Sequence, residues 1–92
     1  MAKFLMLGKY SQEAAKGISA QRTKKVEALI KKAGGKFDAV YALMGKHDLV
    51  LLVDLPGIKE AIKFSVDLDK LTGIRFNTVP AISLKEFDAL VG

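Results

Sequence analysis

The sequence predicts an α+β domain built on an antiparallel sheet, and three observations carry that prediction. Short apolar runs of strand length alternate with longer segments whose apolar residues recur at helical spacing. Gly34-Gly35, Gly45-Lys46-His47 and Pro56-Gly57 punctuate the chain between them. The runs follow the order strand, helix, strand, strand, helix, strand.

The first strand is Phe4 to Tyr10, a short apolar run that includes aromatics. Ser11 caps a helical turn through Ala14, Ala15 and Ile18, and Ser19 caps the main helix from about Ala20 to Ala33. Gly34-Gly35 ends that helix, one glycine taking the left-handed position after its last turn. Phe37 to Met44 reads as the second strand, Gly45 to His47 as a turn that needs positive φ at the glycine, and Asp48 to Leu55 as the third strand. Pro56-Gly57 stops the third strand and opens the second helix. Its apolar stripe is Ile58, Ile62 and Val66, flanked by Ala61 and Leu68, with Lys63 and Asp67 as an i, i+4 pair on the outer side. Thr72-Gly73 ends it. Ile74 to Ala81 is the fourth strand, and Pro80 places it at a sheet edge because proline has no N–H for a ladder. Ser83-Leu84-Lys85-Glu86 has capping-box form, which predicts a short last helix packing Leu84, Phe87 and Leu90.

This order is the split βαβ, or ferredoxin-like, arrangement (βαββαβ): a four-stranded antiparallel sheet with helices on one face and strand order 4-1-3-2. Residues 1–92 form one such domain, with no linker, internal repeat or low-complexity segment. Leu49, Val50, Leu51, Leu52 and Val53 are apolar on both parities, and so are Phe4, Leu5, Met6 and Leu7. A sheet covered on one side only should alternate, so the second apolar face calls for another subunit. Two sheets packed face to face give a dimeric α+β barrel, and the expected partner is a second copy, in a homodimer or higher homo-oligomer.

Composition narrows the function classes. Half of the residues are hydrophobic and none is cysteine, which excludes disulfides, thiolate catalysis, zinc-thiolate sites and iron-sulfur clusters. With a single histidine, no transition-metal site and no cofactor is expected. The net charge of +5 comes mainly from lysine. Lys24, Lys25, Lys31 and Lys32 occupy the solvated side of a helix whose buried side is Val26, Leu29, Ile30 and Ala33. No arginine or stacking aromatic is interleaved with them, so nucleic acid is not an expected partner. The N-terminal apolar run is too short for a signal peptide or a membrane span, and cytoplasm is the expected location.

Three stretches carry a family resemblance: Leu7-Gly8-Lys9-Tyr10, Gly34-Gly35-Lys36, and Tyr41 to Asp48 leading to Asp54-Leu55-Pro56. Over nearly the whole chain they resemble the GYD-domain family of small prokaryotic proteins. More distantly the chain resembles the ligand-binding domain of Lrp/AsnC-type regulators, with its similar Gly-x-x-Asp hairpin entering an apolar strand. The resemblance implies a ferredoxin-like oligomer and brings no established activity. The family's tyrosine before the aspartate is His47 here.

The expected topology gathers the end of the first strand, the turn between the second and third, and the start of the fourth at one sheet edge. Tyr10, Tyr41, His47, Asp48 and Arg75 are the candidate ligand-binding residues, with Gly45 and Lys46 shaping the turn. Asp48 either accepts backbone N–H groups or pairs with Arg75. The leading functional expectation is a small-ligand binding or sensing module. The alternatives are a cofactor-independent enzyme of monooxygenase or isomerase type, with His47 as base and Asp48 orienting it, and a purely structural assembly protein.

Overall fold

A computed structural model describes all of residues 1–92. The chain runs β1 (Ala2–Lys9), α1 (Gln12–Lys16), α2 (Ala20–Lys32), β2 (Lys36–Ala42), β3 (Leu49–Leu55), α3 (Ile58–Thr72), β4 (Arg75–Ala81) and α4 (Leu84–Val91). The strands form one sheet in the order β2-β3-β1-β4, every neighbouring pair antiparallel. This is the predicted ferredoxin-like order, and Pro80 lies on an edge strand opposite Phe4.

Capping residues set the helix boundaries. Ser11, Ser19 and Ser83 each accept an N–H three residues on, from Ala14, Arg22 and Glu86. After α2, Gly34 takes φ +83 while the N–H groups of Gly34 and Gly35 bond back to the carbonyls of Lys31 and Ile30, satisfying groups the helix end would leave open.

Paired residues across the ladders assign each side chain to a face. Phe4 and Met6 of β1 and Leu51, Val53 and Leu55 of β3 face the helices and are buried with Ile30, Ala61, Phe64 and Leu68. The Phe64 ring meets Phe37 edge-on, with centroids 6.3 Å apart. The opposite face carries rows of paired residues: Ala39, Leu52, Leu5 and Val79, then Tyr41, Val50, Leu7 and Asn77. No helix covers these rows with buried contact, and Leu5, Leu7, Val50 and Leu52 stay half-exposed.

Two helical expectations are corrected. The stripe of α3 that packs on the sheet is Ala61, Phe64, Leu68 and Thr72, whereas Ile58, Ile62 and Val66 are 67%, 61% and 47% exposed. Both stripes have helical spacing; the inner one carries Phe64, the largest of the side chains that are almost wholly buried. Helix α4 forms where predicted, but Leu84, Phe87 and Leu90 are 74%, 48% and 76% exposed and no residue of α4 is buried. The helix makes little contact with the other elements of the chain, which is 47 Å in its longest dimension.

Candidate functional site

Asp48 holds the predicted edge together. Its carboxylate accepts the Tyr10 N–H at 2.8 Å, its N–H donates to the Gly8 carbonyl at 2.8 Å, and its carbonyl accepts from Leu43 N–H at 2.7 Å. One residue thus ties the end of β1 to the β2–β3 hairpin, its carboxylate accepting from a backbone N–H that lies across the sheet. Gly45 in that hairpin has φ +138, the positive value expected of the turn. No ion pair joins Asp48 to Arg75, and no hydrogen bond joins it to His47. A His47–Asp48 dyad is therefore not assembled here.

The remaining candidates separate by face. Alternation along β1 sends Lys9 to the open face and Tyr10 to the helix side. Lys9, Lys46, His47 and Arg75 line a shallow depression of about 370 Å³, and Lys9 Nζ donates to the Lys46 carbonyl at 3.3 Å. Tyr41 stands on the open face opposite Val50 and is 64% exposed.

Tyr10 belongs to a different and better-formed cleft, of about 210 Å³, between the first half of α2 and the sheet. Its floor is apolar, formed by Val26, Phe37, Leu51, Leu68 and Ile74, and its polar groups are Tyr10, Ser19, Arg22, Thr23, Glu27 and Thr72. The Arg22 guanidinium is fixed at the mouth, donating to the Ala14 carbonyl at 2.6 Å and lying 5.9 Å over the Tyr10 ring. Thr72 is satisfied internally, donating to the Leu68 carbonyl at 2.7 Å and accepting from Ile74 N–H at 3.1 Å. The cleft can take an apolar body and present a cation, a carboxylate and hydroxyls to a polar head. Arg22, Thr23 and Glu27, on the helix whose lysines form a solvated face, also line the cleft, and no sequence pattern singles them out.

At the opposite end of the open face lies an ion cluster. Lys3 Nζ bonds to Asp38 and, at 2.9 Å, to Asp54, with Lys36 Nζ 3.9 Å from Asp54. A shift of register between Phe37 and Ala39 places Asp38 outside the regular ladder. Hydrogen bonding to Asp38, then to Asp54, raises the Lys3 ammonium above its ordinary value, and the Lys3 bond lowers the carboxyl of the nearly buried Asp54. Asp67 is likewise lowered, by the Lys63 bond at 2.7 Å. Across the molecule no three His, Cys, Asp or Glu side chains form a metal-binding group, and no helix is long and apolar enough to cross a membrane.

Solved chains share this architecture, among them two that superpose on most of its length. The leucine response regulatory protein LrpA of Mycobacterium tuberculosis superposes with a TM-score of 0.59 at 8% identity, and a chain described as a glutamate-to-alanine mutant with 0.58 at 10%. Each superposition covers 89% of this chain, which spans 51% and 50% of those two chains. At such identities the likeness is one of fold. No curated protein matches the sequence significantly. The model of the GYD domain matches residues 4–91, nearly the entire chain, and the protein therefore belongs to the GYD-domain family.

Proposed function

We propose that this protein is a homo-oligomeric small-ligand binding module: two copies pair through the open sheet face, and each holds a small amphipathic ligand in the cleft beneath α2. The observation that carries the ligand reading is the cleft itself, an apolar floor with Tyr10, Arg22, Thr23 and Glu27 converging at its mouth. Its volume is below the roughly 300–1,000 Å³ of drug-sized sites, which sets the ligand at the size of a small metabolite. The related fold in LrpA belongs to a protein named for its response to leucine, so amino acids are the first class to test. Pairing is supported by the open face. Its central residues Leu5, Leu7, Val50 and Leu52 are apolar neighbours across β1 and β3, left half-exposed with no helix over them.

A thermal-shift screen of amino acids and small carboxylates tests the ligand reading. At a hundred times its dissociation constant a ligand adds about 2.7 kcal/mol, a rise on the order of 10 °C for a domain of this size. Val26→Phe, which fills the cleft, should remove the rise in an otherwise folded protein. A screen without any response contradicts the reading.

A further inference from the structure

The chain leaves two apolar stripes unpartnered, and each has what the other lacks. One is the face of α4 formed by Leu84, Phe87, Leu90 and Val91. The other is the groove between α3 and the edge strand β4, of about 360 Å³, where Ile58, Ile62 and Val66 meet Phe76 and Pro80 and no charged residue contributes to the lining. From these we infer that α4 is an exchange arm: it docks in the α3–β4 groove of a second copy of this chain, which returns its own α4 in a reciprocal, two-fold contact.

Four features select that occupant. An isolated helix of this length is marginal in water, yet the chain gives α4 a capping box, with Ser83 Oγ accepting Glu86 N–H at 3.1 Å, and a continuous apolar face. The stripes match in length, each running about 11–12 Å at 1.5 Å per residue. Charge matches as well: Lys59 stands beside the α3 stripe and Asp88 beside that of α4, and neither has an ion-pair partner within its own chain. The area is sufficient. A buried Leu, Phe or Val removes roughly 60–120 Å² from water, so two arms in two grooves cover roughly 1,000–2,000 Å², the range of stable interfaces. The groove lies on the helix side of the sheet, so this contact does not compete with pairing through the open face.

The protein has no cysteine, which makes cross-linking clean. The full chain carrying both Ile62→Cys and Phe87→Cys, oxidised at low concentration, should give disulfide-linked dimers. A link within one chain would mean that α4 folds back on its own groove, and no link would mean that it docks elsewhere; either result overturns the inference. Hydrogen exchange on the cysteine-free protein supplies a second reading. Amides of α4 should be protected at least tenfold over free peptide, and Ile62→Asp, an exposed position that leaves the core intact, should abolish that protection. Rapid exchange of α4 in the unmodified protein, or protection unchanged by Ile62→Asp, overturns the inference equally.

Discussion

On the helix side of the sheet Met6, Val53 and Leu55 are fully buried, while their neighbours Leu5, Leu7 and Leu52, on the same strands, remain half-exposed. The two sets are alike in residue type. What separates them is cover: α2 and α3 close one face, and the other is left to Tyr41, Asn77 and an ion cluster at its end. Apolar content therefore marks where contact is needed without saying whether the same chain supplies it. Helix α3 repeats the lesson on a smaller scale, with one stripe in the core and a second, wholly aliphatic one outside it.

The largest expected effect comes from breaking the closed face. Phe64→Ala removes the ring that meets Phe37 and should cost about 3–5 kcal/mol in denaturant unfolding, a large part of the roughly 5–15 kcal/mol that holds a domain together. Asp48→Ala acts at the seam between the faces. It leaves the Tyr10 N–H without its acceptor and should cost about 1–2 kcal/mol, with faster amide exchange at Tyr10 as the local readout.

The smallest effect is the ion cluster at the end of the open face. The Asp54 carboxyl is lowered in the folded state, so its contribution is full above its ordinary value near 3.8 and is lost as pH falls through the folded value. The Lys3 ammonium is raised, so its contribution is full below 10.5 and is lost as pH rises through the folded value. The stability difference between the natural protein and Lys3→Met should be level from about pH 5 to 10 and shrink on either side. A difference independent of pH would show that Lys3 acts only through its packing.

Strand order and helix starts were legible because single residues announce them: Pro80 for the edge strand, and Ser11, Ser19 and Ser83 for the caps. The register of α3 was not, since Ile58-Ile62-Val66 and Ala61-Phe64-Leu68 are both valid helical stripes and only packing against Phe37 chooses between them. The edge residues Tyr10, His47, Asp48 and Arg75 were rightly placed at one end of the sheet. Their division between two faces follows from alternation along β1 at Lys9 and Tyr10. The Arg22–Glu27 side of the cleft was not legible, because it forms only when α2 lies across the sheet.

Sedimentation equilibrium of the natural protein beside Leu52→Lys tests the central claim, that the open face is an interface. In a free monomer a lysine at this half-exposed position can run its ammonium out to solvent, whereas in a paired face it places a charge at the centre. The account predicts at least two chains per particle for the natural protein and a lower mass, with unchanged circular dichroism, for Leu52→Lys. A single-chain mass for the natural protein, or an oligomer that Leu52→Lys leaves intact, would contradict it.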